Sequence, residues 1–334
     1  MQSYADVSQM LQALTPDNPV YCVYPEVYQA TARRFLDGFP GRVLYAVKAN
    51  NDPLVMQALL DAGVSHFDCA SLPEIEQVRA LSRSVTCYFM NPVRIRGAAA
   101  AAQRDHDVRH FVVDHMSGLN ALLEEIDASR SVIFARMAVH HDAAMVDLST
   151  KFGAKPADIP AILDAIANAG AEPALAFNVG SVVMSPDAFV HAMEAAKQLL
   201  DALDFKIRLV DIGGGYPKSY PGFEAPPLDD YFEAIRNSVR LPLADDGELM
   251  AEPGRALSAR GMSAVARVLL RKEDRLYLND GMYGAFWELR FKGHVRYAAR
   301  AFRDGAPLAG VKQDFHLYGP TCDSSDAMPG EVEL

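Results

Sequence analysis

The sequence predicts an α/β protein, a (β/α)8 TIM-like barrel with a second, smaller antiparallel β domain. Three observations carry that expectation. Short apolar runs rich in branched and aromatic residues alternate with helix-like segments. Eight such runs fit within the first ~250 residues, the usual size of a parallel barrel. Polar residues end the runs, where a barrel gathers its strands into one mouth.

The strand candidates are 43–50 (VLYAVKAN), 66–71 (HFDCAS), 85–91 (VTCYFMN), 110–114 (HFVVD), 132–139 (VIFARMAV), 174–181 (ALAFNVGS), 207–215 (IRLVDIGGG) and 249–255 (LMAEPGR). Helix-like segments separate them at 53–62, 73–82, 95–104, 116–126, 156–169, 186–203 and 228–239. Several open on proline, which suits a first helical turn because its missing N–H has no partner there anyway. At the strand ends stand Lys48, Asp68, Asn91, Asp114, Arg136, Asn178, Gly213 to Gly215 and Glu252. One polar strand end means little, but a ring of mixed charge favours the barrel over a doubly wound open sheet. After Arg255 the helices cease. Runs at 261–270, 275–279, 294–302 and 314–318 read as strands joined by turns. The expected division is therefore a barrel over 23–256 and a β domain from 1–22 plus 257–334.

Composition bounds the function. The chain has 334 residues, 50% hydrophobic and 22% charged, which is ample for a large core and excludes disorder. No apolar run approaches the ~18 residues of a membrane span. The formal net charge of -11, with no basic tract, argues against nucleic acid and anionic membranes. Cys22, Cys69, Cys87 and Cys322 lie far apart, so neither a zinc site nor a redox disulfide motif is expected. The N-terminus lacks a basic segment followed by an apolar core, and a cytoplasmic location is the expectation. His106 and His110 have helical ligand spacing, and His115, His140 and His141 lie nearby. No third ligand accompanies them, so they read as surface histidines and no metal is expected.

Four constellations carry chemistry. Lys48 ends an apolar strand, where its charge is costly unless neutralised. In a desolvated mouth its pKa would fall and its amine could form an imine with an aldehyde. Alone, it would more simply snorkel to solvent. The glycines of DIGGGYP expose backbone N–H groups able to cradle a phosphate, at the loop where barrels usually hold one. A single tight turn needs fewer than three glycines. Arg255 would close on the same phosphate. Glu252, in AEPGR, could hold the proton of a heteroaromatic ring or pair with Arg255. Cys322 and Asp323, in GPTCDSSD, read equally as an acid catalyst or as a loop cysteine beside a capping aspartate. An aldehyde-binding lysine, a phosphate cradle and a carboxylate for a pyridinium together match what pyridoxal phosphate requires.

In this order, YAVKAN, FDCAS, FNVGS, DIGGGYP, AEPGR, NDGMYG and GPTCDSSD resemble the motifs of the alanine-racemase-fold (fold type III) pyridoxal-phosphate-dependent amino-acid decarboxylases. The ornithine and diaminopimelate decarboxylases belong there, and the ornithine enzymes resemble this chain more. The resemblance implies a role for each matching position. Lys48 would carry the cofactor as an imine, supported by Asp68. Arg136 would lie on the cofactor's phenolic side and Asn178 over its ring. Ser181, Gly213, Gly214, Gly215, Gly254 and Arg255 would hold the phosphate, and Glu252 the ring nitrogen. Cys322 would return a proton to carbon after CO₂ leaves, and Asp323 would bind the substrate's distal amine. A homodimer with shared active sites and a small amino-acid substrate are implied.

Three positions depart from the family pattern. Asn178 stands where a ring-stacking histidine is usual. Lys292 stands where the ornithine enzymes have an acid, which would repel a diamine tail and attract a carboxylate, with Glu288 nearby. A Gly-Ala-Tyr segment is not found, so the β domain is expected to be incomplete at Leu334. The expectation is decarboxylation of an L-amino acid, either ornithine- or lysine-like or modified with a carboxylate tail. A racemase on the same barrel, or a non-catalytic decarboxylase-like regulator, are the alternatives.

Overall fold

Eight parallel strands close on themselves in chain order: β1 (Arg42–Ala46), β2 (His66–Cys69), β3 (Thr86–Phe89), β4 (His110–Val113), β5 (Val132–Met137), β6 (Glu172–Phe177), β7 (Leu209–Asp211) and β8 (Glu248–Ala251). The computed structural model describes residues 2–146, 148–290 and 296–334. The barrel belongs to a compact unit of Pro25–Lys218 and Ala225–Gly261. A second unit comprises Met1–Tyr24, Ser219–Glu224 and Met262–Leu334.

Side chains alternate along a strand, so a closed barrel directs every second residue inward. The strand register aligns these inward positions into layers. Leu44, Val112, Phe134, Ala174, Leu209 and Met250 form a buried apolar middle layer. Two residues further along their strands come Ala46, Asp114, Arg136, Ala176, Asp211 and Glu252. Asp68 joins that upper level, being paired with Ala46 of β1. Alternation thus places apolar residues in the barrel's waist and charged ones at its C-terminal mouth.

Helices cover the outside, and their ends follow local chemistry. Asp52 Oδ1 accepts from Leu54 N at 2.8 Å, and Pro53 opens the helix Pro53–Asp61. Ser71 caps Leu72–Leu81, while Glu74 reaches back to the N–H of Ala70. The helix expected from residue 95 begins at Ala98 instead. Its start is fixed from outside, because the carboxylate of Glu125 accepts from Gly97 N and Ala99 N. The helix Pro25–Gly38, not anticipated from the sequence, buries Phe35 edge-on to Tyr216 and Phe232.

The strands are shorter than expected. β1 ends at Ala46, and Lys48 sits in a single 3₁₀ turn, Val47–Ala49. The run expected over 174–181 breaks after Phe177, and Ser181–Val183 pairs instead with Ala144–Val146. In the second unit, the run expected over 261–270 is two strands. Met262–Val265 pairs antiparallel with the N-terminal Val20–Val23, and Val268–Lys272 with Arg275–Leu278. The small sheets are mainly antiparallel, but Arg275–Leu278 and Asp314–Tyr318 run parallel. Of the strand expected over 294–302, the first two residues lie outside the described residues, as does Lys292. Its end survives as Phe302–Arg303 against Ala306–Pro307.

His110 corrects the surface-histidine reading. It faces the barrel floor, its ring 4.1 Å from that of Tyr88. The Tyr88 hydroxyl accepts from Arg42 Nη1 at 2.9 Å, which directs its own proton to His66 Nδ1 at 3.2 Å. Arg42 also pairs with Glu248. Burial, with the nearby charge of Arg42, pushes His66 down to about 4 and His110 down to about 3. Unfolded, both would titrate at the ordinary value of 6.5. Below that value the unfolded chain takes up protons that the fold refuses, so stability falls as pH drops from 6.5 towards about 4. His110→Phe should therefore shrink the loss in urea midpoint between pH 7 and pH 5. An undiminished loss would show that this ring does not carry the effect.

Candidate functional site

The mouth of the barrel gathers five charged side chains. Lys48 Nζ donates to Asp68 Oδ2 at 3.5 Å, and the Asp68 carboxyl is buried. The Lys48 side chain is 60% exposed, so a small molecule entering the mouth can reach its amine. Its ion pair with a buried carboxylate argues against simple snorkelling. The sequence reading expected a lowered pKa, and the structure reverses this. The Asp68 carboxylate, helped by Glu252, outweighs burial and Arg136 and holds Lys48 above the usual lysine value. Burial pushes Asp68 up, and Lys48 and Arg136 offset part of that.

Glu252 and Asp211 are the other two carboxyls. Burial and the two neighbouring acids push Glu252 well up. Burial pushes Asp211 up to about 7, opposed by the N–H of Gly213, which donates to Oδ1 at 2.8 Å. Asp211 was missed as a site residue. Its signal was present, because a carboxylate inside the apolar run IRLVDI needs a reason to be buried. Arg136 projects from β5, its guanidinium 5.4 Å from the Phe152 ring centre, and its charge is felt by all three acids. Arg136, Asn178 and Glu252 line an open pocket with Met90, Val112, Ala176 and Phe177.

The glycine loop does more than turn. Cβ atoms at Gly213, Gly214 and Gly215 would lie 2.6 Å from Phe177 O, 2.6 Å from Glu252 O and 2.8 Å from Gly180 O. Only bare backbone lets the loops after β6, β7 and β8 approach so closely. Glu252 N donates to Gly213 O at 2.8 Å, and Val183 N to Gly215 O at 2.9 Å. Asn178 Oδ1 accepts from Gly180 N at 3.0 Å and so shapes the loop leading to Ser181. A Cβ on Gly254 would press on Ala49, which brings the loop before Arg255 against the turn carrying Lys48. Ala46 N donates to Pro253 O across the same junction. Asn91 and Asp114, from the predicted ring, serve the loops. Asn91 Nδ2 donates to Ala70 O, and Asp114 Oδ2 accepts from Gly153 N.

Cys322 and Asp323 belong to the second unit, on an exposed loop. Buried Asp326 organises it, accepting from Met282 N at 2.7 Å and from Thr321 Oγ1 at 2.7 Å. Cβ atoms on Gly281 or Gly319 would collide with that carboxylate. Tyr283 donates its hydroxyl proton to Asp323, and Ser325 N donates to Asp323 Oδ1 at 2.9 Å. These bonds, the Tyr283 one first, hold the Asp323 carboxyl below its ordinary value. The Arg290 guanidinium lies 4.8 Å from the Tyr283 ring centre. Asp326, Tyr283 and Arg290 were not singled out in the sequence, since only the fold brings NDGMYG to GPTCDSSD.

The profile of the pyridoxal-dependent decarboxylase family, pyridoxal binding domain, matches residues 27–259. The chain belongs to this family. A lysine/ornithine decarboxylase from Selenomonas ruminantium is 32% identical over 296 residues, which span 86% of this chain and 72% of the relative. Antizyme inhibitor 2 from Xenopus laevis is 28% identical, over 90% and 70%. Among solved structures, a lysine decarboxylase from Selenomonas ruminantium superposes with a TM-score of 0.85 at 26% identity, covering 100% of this chain and 87% of that one. A lysine/ornithine decarboxylase from Vibrio vulnificus, complexed with cadaverine, gives 0.81 at 25%, covering 97% and 86%.

This decarboxylase is thus a pyridoxal-phosphate-dependent carboxy-lyase. The mouth suits the cofactor on its own chemistry. It offers a reachable amine, a bare-backbone loop and two buried carboxylate oxygens, Asp68 Oδ1 and Glu252 Oε1, that no protein donor satisfies. No helix among the described residues is long and apolar enough to cross a membrane, and none of their His, Cys, Asp and Glu side chains form a metal cluster. Gly214→Ala, by driving a Cβ onto Glu252 O, should weaken pyridoxal phosphate binding at least about tenfold. Unchanged affinity in an absorbance titration would remove the loop from the cofactor site.

Proposed function

We propose that this chain removes the α-carboxylate of an L-amino acid to give the amine. The observation that carries the reading is Lys48, ion-paired to buried Asp68 in the same mouth as the unsatisfied oxygen of Glu252. Pyridoxal phosphate, when bound, supplies an aldehyde for amines and an electron sink for the bond to the departing carboxylate. Lys48 would anchor it through the neutral amine, and Asp68 would position that nitrogen until the substrate's amine replaces it. Glu252 would hold a proton at the ring nitrogen. Arg136 would lie beside the ring's phenolic side and Asn178 over its face. Asn178 can stack and hydrogen-bond but, unlike histidine, adds no charge. Gly213 to Gly215, Ser181, Gly254 and Arg255 would hold the phosphate.

Cys322 would protonate the substrate carbon, and the exposed Cys322–Asp323 loop would serve the barrel of a second copy in a homodimer. Tyr283 and Ser325 hold Asp323 anionic, suited to a distal ammonium as in ornithine or lysine. A second substrate class has its own support. Arg290 lies against Tyr283, so a carboxylate-tailed amino acid would also have a cationic partner beside Asp323. A racemase would need a second base opposite Lys48. The regulator reading, raised by the likeness to the antizyme inhibitor, leaves the ion-paired Lys48 and the buried acids unexplained. Four free cysteines suit a reducing cytoplasm.

The test is CO₂ release from basic and carboxylate-tailed amino acids. Lys48→Ala should abolish both release and the near-ultraviolet or visible band of bound cofactor, and turnover by that variant would overturn the assignment. Cys322→Ala should keep cofactor binding but slow or misdirect turnover, and an unchanged rate and product would remove Cys322 from its role.

A further inference from the structure

We propose that Asp326 is the positioning residue of the Cys322–Asp323 loop: its carboxylate pins the residue before Cys322 and the residue before Tyr283 to one point, and so sets where the thiol and the Asp323 carboxylate are presented. The roles of Cys322 and Asp323 are those proposed above, and the tests below separate the two. Asp326 is buried, and its two oxygens divide between two segments of the second unit. Oδ1 accepts from Met282 N at 2.7 Å, and Tyr283 is the next residue. Oδ2 accepts from Thr321 N at 3.1 Å and from Thr321 Oγ1 at 2.7 Å, and Cys322 is the next residue. The backbone closes the ring, since Asp326 N donates to Asp323 O at 3.0 Å and Gly319 N to Asp326 O at 2.8 Å. Tyr283 gives its hydroxyl proton to Asp323, which leaves its oxygen to accept from Ser325 Oγ at 3.0 Å.

Residues 320–325 are all exposed, so packing does not hold them. The order of this stretch rests on hydrogen bonds, and these run chiefly to Asp326. Every one of its side-chain bonds uses the carboxylate as acceptor, the pattern of an anion. Two glycines make room for it. The nearest atoms that a Cβ on Gly319 would meet all belong to the Asp326 carboxyl, and a Cβ on Gly281 would collide with the same group. Neither glycine takes the left-handed backbone that by itself favours this residue, so it is the buried carboxylate that calls for them. The consequence is functional because the pinned residues adjoin the working ones. A displacement of about 1 Å in an acid or a substrate-binding group can cost about a hundredfold in rate.

Asp326→Asn keeps the shape and spoils the pattern. Whichever way the amide turns, its NH₂ group meets a backbone N–H, that of Met282 or that of Thr321. Gly319→Ala disturbs the same carboxylate from the other side and leaves its charge in place. Turnover is read with whichever of L-ornithine, L-lysine and L-glutamate releases CO₂ fastest. In both variants kcat/KM should fall at least about tenfold and a product other than the amine should appear, while pyridoxal phosphate affinity stays within about threefold of the natural protein. Hydrogen exchange of the peptide containing Thr321 should quicken at least about threefold. Thr321→Val removes a single bond and should move the same readouts less, in the same direction. Asp326→Asn combined with Cys322→Ala should give the product distribution of Cys322→Ala alone, because Asp326 acts through the thiol. Unaltered exchange, or unaltered rate and product, in Asp326→Asn would overturn the proposal. Loss of cofactor affinity in step with kcat/KM would overturn it too, since that marks a general loss of structure. Should Cys322→Ala leave rate and product unchanged, the acid reading falls instead, and exchange in Asp326→Asn still decides the positioning.

Discussion

Closure of eight parallel strands is the constraint on which everything else rests. It leaves no free sheet edge, and it forces alternate residues of every strand into a space too narrow for more than stacked layers of side chains. In this chain the middle layer is apolar, from Leu44 round to Met250. That plug separates two polar ends. Below it, Arg42, Glu248, Tyr88 and His66 satisfy one another, and the His110 ring packs against Tyr88. Above it, Lys48, Asp68, Arg136, Asp211 and Glu252 do so only in part.

The difference between the two ends is physical. Two arginine bonds and a phenol-to-imidazole bond bring the floor close to neutrality. The mouth buries three carboxyls against two cations. Burial raises the proton affinity of each acid, and each raises that of the others. Such an arrangement is costly in a protein that only has to fold. The proposed function accounts for it: a bound group would bring a cationic ring nitrogen and an aldehyde, and the glycine loop would leave bare backbone beside it for a phosphate. The second unit shows the same economy. Asp326 uses its buried carboxylate to shape a loop, and the neighbouring Asp323 and Cys322 remain exposed.

Much of this was readable in the residues. The eight strands, the succession of helices and the family followed from short apolar runs and ordered motifs, because strand and helix periods are local properties. Lys48, Asp68, Arg136, Asn178 and Glu252 stood out because a charge or amide closing an apolar strand is unusual on its own terms. Asp211, two residues before the glycines, carries the same signal, a carboxylate inside an apolar run, but the fold alone shows that it is buried.

The amino-acid order by itself determined which side of each strand is polar and how many strands there are, and that suffices for a barrel with a charged mouth. Only the tertiary structure decided how those charges act on one another. It made Lys48 more basic rather than less, because Asp68 comes to it from the next strand. It turned His110 inward, since that position lies two residues before Val112 of the inner apolar layer on the same face of the strand. It also showed why three glycines are needed, as three separate loops meet there backbone to backbone. Proton affinities and close approaches depend on neighbours distant in the chain, and a linear sequence carries no distances between them.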